Sequence, residues 1–330
     1  MRDGNHDWKN LFLAFAVAIL AGSAPAAADA DRTSTPRQGP FDCRYTTHPV
    51  ETDHAESTGR RTTIFPPGDL FRPLLADRKE PRFYGGFHWV ELNSPLADET
   101  DRRRFVSGIA STGETFGLWT RRTTDSCDGI QLNIYGAVFS QFRFDPVAML
   151  NADYQIGFPL SLRRGPFSAR VRLYHQSSHL GDQFLLENPA FERINLRYEG
   201  LDVLLSLDST WWRIYAGAGV LLNVEPAELD RLVAQAGAEL RLDDWAWTPF
   251  SPSVRWIPVA AVDVTSYQTR RWGPTISAMA GTELTTSHRD EHRIQRVRLL
   301  VGLLYGYLPF GQFFDDRRLT SLGVETHFEF

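Results

Sequence analysis

"NADYQIGFPLSL" (151–162) alternates without a break. Ala152, Tyr154, Ile156, Phe158, Leu160 and Leu162 fall on one side, and Asn151, Asp153, Gln155, Gly157 and Ser161 on the other. A period of two is the signature of a β-strand with unlike faces, because successive side chains leave the backbone in opposite directions. The same pattern recurs. "LVAQAGAELRL" sends Leu232, Ala234, Ala236, Ala238 and Leu240 one way and Val233, Gln235, Gly237, Glu239 and Arg241 the other. "QRVRLLVGLLYGY" sets Val297, Leu299, Val301, Leu303 and Tyr305 against Arg296, Arg298, Leu300 and Gly302. Alternating segments of about ten residues, repeated to the end of a chain, characterise a transmembrane β-barrel.

A soluble sandwich alternates too, and three features weigh against it. Trp211, Trp212, Trp245, Trp247, Trp256, Trp272 and Tyr307 gather near expected strand ends, as in the aromatic girdles at the two faces of a membrane. Charged residues sit on the polar face deep in the strands: Arg172, Arg197, Glu239, Asp263, Glu283 and Arg298. A water-lined barrel interior satisfies them. The chain also ends "SLGVETHFEF" (321–330), with a terminal Phe330 and an aromatic two places before it. That ending resembles the signal by which Gram-negative cells insert outer-membrane barrels, so barrel-assembly machinery is an expected partner through Phe330. The expected fold is all-β, an antiparallel barrel of about 12 strands. The strands are placed near 103–112, 114–121, 129–142, 151–163, 166–178, 191–207, 211–222, 232–242, 253–265, 273–284, 294–306 and 319–330. The face switch in 191–207 is assigned to a bulge at Glu199–Gly200.

Composition agrees. The chain has 330 residues, 42% hydrophobic and 12% aromatic, with net charge −5, and mean hydropathy is slightly negative. No basic field points to nucleic acid. After residue 21 no apolar run is long enough for a membrane helix. "LFLAFAVAILA" (11–21), preceded by Arg2 and Lys9 and followed by the small residues of "SAPAAADA", marks residues 1–30 as a secretory signal peptide. Residues 31–102 read as a partly irregular periplasmic extension, with a short helix or a plug in "PPGDLFRPLLADRKEPR" (66–82), and 103–330 as the barrel. Cys43 in the extension and Cys127 in the loop 122–128 fall on one side of the membrane in an oxidising compartment, so a disulfide between them is expected.

The candidate site comes from "RVRLYHQSSHLGD" (170–182). Ala169, Val171 and Leu173 are apolar, yet the same face continues with His175 and Ser177. The strand rises from the short turn "RRGP" (163–166), and short turns are periplasmic. His175 and Ser177 are therefore expected on the lipid side, at the depth of outer-leaflet head groups. Descending through "AFERINLRY" (190–198), with Ile194, Leu196 and Tyr198 to lipid, the next strand brings Glu192 beside them. Serine, histidine and carboxylate together suit nucleophilic catalysis: Ser177 attacks, His175 takes its proton and Glu192 orients the ring. The simpler alternative is a polar strand end that only meets head groups. His179 and Asp182 are weak candidates for a divalent cation such as calcium, and no other cofactor is expected. The alternative to a lipid-acting esterase is a non-catalytic barrel: a channel, a transporter or an envelope scaffold.

"HQSSHLGD" resembles the His-x-Ser core of outer-membrane phospholipase A and of lipid A 3-O-deacylase, and "ENPAF" (187–191) is similar to the Asn-Pro segment that follows in the deacylase. That resemblance implies a site on the barrel exterior acting on outer-leaflet lipid, with Glu192 in the place of the deacylase glutamate. Ser178 stands where the phospholipase has Asn, and His179–Leu180 precede Gly181. Over most of the chain, "FPPGDLFRPLLAD", "GETFGLW", "ADYQIGFPLS", "RLYHQSSHLGD" and "RIYAGAGVL" resemble the bacterial family catalogued as domain of unknown function 1207, which implies export and a barrel but no activity.

Overall fold

In the computed structural model, residues 59–96, 103–123, 128–144, 147–286, 296–309, 311–313 and 317–329 are described. The expected signal peptide, Cys43, Cys127 and Phe330 lie outside them.

Among the described residues thirteen strands follow one another. They are β1 (Arg60–Ile64), β2 (Phe83–Leu92), β3 (Arg104–Thr123), β4 (Gly129–Phe144), β5 (Val147–Arg164), β6 (Phe167–Leu180), β7 (Arg197–Asp208), β8 (Trp212–Glu225), β9 (Leu232–Arg241), β10 (Val254–Tyr267), β11 (Pro274–Thr286), β12 (Arg296–Tyr307) and β13 (Arg318–Glu329). One short helix, α1 (Asp182–Glu187), follows β6. Strands β2 to β13 pair antiparallel in order, and β13 pairs back onto β2, from Leu319↔Leu92 to Phe328↔Phe83. The result is a closed barrel of 12 strands, with no open edge in its wall. β1 joins only the far end of β3, from Arg60↔Thr123 to Ile64↔Trp119.

The wall starts earlier than the sequence suggests. β2 lies inside the segment expected as periplasmic extension, and the two strands expected at 103–112 and 114–121 are one 20-residue strand, β3. The total of 12 survives because one strand was missed and another divided. Gly113 is no turn: a Cβ there would lie 2.6 Å from the Cβ of Ala137 on the paired strand. Glycine at this point permits close packing rather than reversal.

Alternation does set the faces. On β5, Tyr154, Ile156, Phe158 and Leu162 are exposed while Asp153, Gln155, Ser161 and Arg163 are buried. The buried polar residues share the interior of the barrel. The chain from 66 to 82 runs through it as an irregular plug. No helix forms there, because Pro66, Pro67, Pro73 and Pro81 interrupt it and side chains take the local donors. Asp69 Oδ1 accepts from Phe71 N at 3.1 Å, and Asp77 Oδ1 from Lys79 N at 2.8 Å. Phe71 and Leu74 pack against Leu204 and Tyr215 of the wall, and Leu75 and Ala76 against Val259, Ala261, Met279 and Leu300.

Ion pairs pin the plug along its length. Glu80 takes two hydrogen bonds from Arg170, at 2.6 and 3.0 Å. Arg78 donates to Glu325 at 2.7 Å, and Lys79 pairs with Asp153. Wall arginines also donate to plug carbonyls, Arg213 to Arg72 O at 2.8 Å and Arg163 to Leu70 O at 3.1 Å. Burial works to raise the pKa of Glu80, but the adjacent Arg170 charge and its hydrogen bonds outweigh that and hold the carboxyl below the usual range.

An apolar lid packs at the end of the barrel that carries α1. Phe184 of α1, Phe313 from the β12–β13 connection, Leu96 and Leu308 join Phe105, Leu150, Leu180 and Leu319 in one buried cluster. Gln312 fastens the lid: its N donates to Asn151 Oδ1 at 3.1 Å, and its Nε2 to Ser178 O at 2.8 Å and Ile194 O at 3.0 Å.

Candidate active site on the barrel exterior

β6 carries Phe167, Ala169, Val171, Leu173, His175, Ser177 and His179 on its outer face, and Arg170, Arg172, Gln176 and Ser178 on its buried inner face. The outer face is apolar up to Leu173 and polar beyond it. β7 repeats this profile in reverse, with Arg197 and Glu199 followed by Leu201, Val203, Leu205 and Leu207. The β6–β7 register aligns the two polar ends: His175↔Glu199 and Ser177↔Arg197. Directly opposed residues on an antiparallel pair have Cβ atoms about 4.5–5.5 Å apart.

His175 Nδ1 and Glu199 Oε1 are 3.1 Å apart, with 42% and 37% of their side chains exposed. A carboxylate acceptor at Nδ1 fixes the ring's orientation and leaves Nε2 to handle a second proton. Ser177 lies two residues along the same face, at a Cα separation of about 6–7 Å. Its hydroxyl makes no hydrogen bond with His175 among the described contacts. Ser177 thus shares the outer face with an oriented imidazole two residues away.

The structure corrects the expected carboxylate. Glu192 lies outside the β6–β7 ladder, where Glu199 and Arg197 face His175 and Ser177; it is an exposed residue of the irregular stretch 188–196. β7 starts at Arg197, not near 191. Asn188 ends α1, donating from Nδ2 to Phe184 O at 2.8 Å, and Pro189 follows. Phe191 then turns inward onto Phe184 and Phe313, with ring centroids 5.3 and 6.0 Å away. Gln312 takes the Ile194 carbonyl, so that backbone group is satisfied by the lid rather than by a neighbouring strand. Delaying the strand reverses the faces assigned around 194–198. Leu196 and Tyr198 are buried inside, while Arg197, expected in the interior, is outside.

No face switch occurs at Glu199–Gly200, since Arg197, Glu199, Leu201 and Val203 stay on one side. The irregularity lies on the other flank, where the β7–β8 register shifts between Arg197 and Glu199 and Asn223 takes a left-handed φ of 44°. Gly200 has a packing role. A Cβ there would come 2.2 Å from Cζ of Tyr174, whose ring covers the glycine on the inner side.

A second serine–histidine–glutamate set, which sequence reading missed, lies in the interior. Ser321 Oγ is 3.2 Å from His88 Nδ1, and His88 Nε2 is 3.0 Å from Glu325 Oε1. Glu325 also binds Arg78 of the plug and His327, the latter at 3.0 Å. All are at most 7% exposed, so no lipid ester reaches them. Their arrangement binds plug to wall. The alternation in "FHWVEL" (87–92) was the available signal, but Gly85–Gly86 breaks the pattern just before it.

The match to known sequences is decisive for kinship. The family model described as Protein of unknown function (DUF1207) matches residues 17–330. This chain belongs to the DUF1207 family. No curated protein matches it in sequence. The DUF1207 barrel is similar to solved outer-membrane barrels. An active-site mutant of outer membrane phospholipase A from Escherichia coli has 12% identity and a TM-score of 0.50, with 76% of this chain and 91% of that one covered. An outer membrane phospholipase dimer with bound calcium, from Salmonella typhi, has 12% identity, the same coverage and a TM-score of 0.48. The translocator domain of the autotransporter NalP from Neisseria meningitidis has 11% identity, covers 76% and 88%, and scores 0.36. At such identities the likeness is one of fold.

In the DUF1207 barrel, His179 lies on the outer face with its ring edge toward Tyr154, centroids 5.6 Å apart, and Asp182 is exposed in the first turn of α1. Among the described residues no group of three or more His, Cys, Asp or Glu is placed to hold a metal ion. These two residues alone fall short of the six to eight oxygen ligands calcium takes. Ser178 faces inward and donates to Asn151 Oδ1 at 3.0 Å and to Asp153. It therefore has no access to an ester on the outside.

Proposed function

We propose that this protein is exported through its N-terminal signal peptide, inserted into the outer membrane of a Gram-negative bacterium by machinery that reads Phe330, and hydrolyses acyl esters of outer-leaflet lipid. Ser177 is the nucleophile, His175 the base and Glu199 the carboxylate that orients the base. The observation that carries this reading is the Glu199 carboxylate 3.1 Å from His175 Nδ1, on the outer face, with Ser177 two residues on. The chemistry closes in two steps. Ser177 Oγ adds to the ester carbonyl while its proton passes to His175 Nε2; the lipid alkoxide leaves with that proton. Water then attacks the acyl-serine, giving its proton to His175, and the free fatty acid departs as Ser177 is restored. The ion-paired plug and the apolar lid occupy the interior that a channel would use, which favours this reading over a channel.

The orienting carboxylate supplies the specific test. Glu199→Gln is expected to lower kcat on phospholipid or lipid A micelles by roughly 10²–10⁴-fold, the range for positioned acid–base groups. Glu192→Gln is expected to leave it unchanged. Full activity in Glu199→Gln would refute the assignment.

A further inference from the structure

We propose that Arg197 forms a phosphate subsite beside Ser177, so that the lipid taken is a phosphate-bearing ester rather than a neutral one. This deepens the hydrolase reading and rests on it for the role of Ser177, though not for the presence of the subsite. Arg197 is the direct cross-strand partner of Ser177 and projects from the same outer face, with 54% of its side chain exposed. A cation on a lipid-facing wall is tolerated near the head groups and disfavoured toward the midplane, so this position marks head-group depth.

The guanidinium is already oriented. Arg197 pairs across β7–β8 with Glu225, forming an ion pair through one Nη, and Asn195 Nδ2 donates to the other Glu225 oxygen. A guanidinium has five N–H donors in a planar fork, and Glu225 engages only one edge of it. The remaining edge suits a bidentate phosphate. In a phosphate-bearing lipid, only a short glycerol or sugar unit separates the phosphate from the nearest acyl carbonyl. Phosphate at Arg197 therefore brings that carbonyl to the neighbouring serine. The exposed ion pair itself adds little to stability, so its removal leaves the barrel folded.

Binding to the full-length Ser177→Ala protein in detergent, measured by native mass spectrometry, separates this subsite from turnover. The probes are phosphatidylglycerol, diphosphoryl lipid A and neutral diacylglycerol. The phosphate lipids are expected to be retained about tenfold or more over diacylglycerol, the range for a charge-assisted hydrogen bond. Adding Arg197→Gln should erase that preference. Glu225→Gln, which removes the competing carboxylate, should strengthen it. Preference for phosphatidylglycerol identifies a glycerophospholipid, and preference for lipid A identifies a lipopolysaccharide. Equal retention of diacylglycerol, or a preference that survives Arg197→Gln, overturns the proposal. A phosphate preference that depends on Arg197 in a protein without hydrolytic turnover would sustain the subsite and remove the hydrolase.

Discussion

Ser177→Ala is expected to bring lipid-ester hydrolysis down to the uncatalysed rate, a fall of about 10⁴–10⁶-fold in kcat, as when the nucleophile of a serine hydrolase is removed. Neither of the two serines nearest this chemistry in sequence or arrangement stands in for it, and the Tyr154 phenol across from Ser177 is a far weaker nucleophile. Ser178 is on the opposite face, committed to Asn151 and Asp153, and Ser321 is enclosed with His88 in the interior. The substitution removes one exterior oxygen with no hydrogen-bond partner among the described residues, so the folded barrel should be unaffected. Titration of fatty acid released from micelles, with thermal unfolding of the same sample as control, gives both values. Substantial turnover in folded Ser177→Ala would remove Ser177 from the chemistry.

Glu80→Ala should cost about 3–5 kcal/mol of barrel stability, because it strands the Arg170 guanidinium as a buried, uncompensated charge. Both side chains of this pair are under 5% exposed, and Arg170 also stacks over Phe71 at 4.7 Å. The double variant Glu80→Ala, Arg170→Met removes the stranded charge too and should regain most of the loss. Denaturant unfolding in detergent micelles measures each. A loss below about 1 kcal/mol, the scale of an exposed ion pair, would mean that the plug does not depend on this contact. The depressed Glu80 pKa sets the pH window. The pair contributes fully above the unfolded carboxylate value and fades as pH falls through the lower folded value.

Strict alternation made most of the wall legible. β4 to β6 and β8 to β13 form where runs such as 151–162 and 232–242 place them, since a face held against the interior needs every second residue to suit it. β2 was hidden because Gly85 and Gly86 remove two side chains from its pattern, and β3 was divided at a glycine that serves packing. The outward position of His175 and Ser177 was readable from Val171 and Leu173 before them. Their carboxylate was not. Which residue of β7 meets His175 depends on how much chain the lid consumes, and that is settled by Gln312, 118 residues from the Ile194 carbonyl it binds. The plug poses the same difficulty. Leu75 N reaches Glu239 across 164 residues of sequence, and no local pattern encodes such a partner.

The most direct measurement of the central claim is covalent capture of the nucleophile. The purified full-length protein, treated in detergent with a long-chain alkyl fluorophosphonate, is mapped by peptide mass spectrometry. The serine oxygen displaces fluoride from phosphorus as its proton passes to the histidine. One adduct, on Ser177, absent in His175→Ala, is the predicted result. An unmodified Ser177 in folded protein, or an adduct on Ser321 instead, would contradict the account.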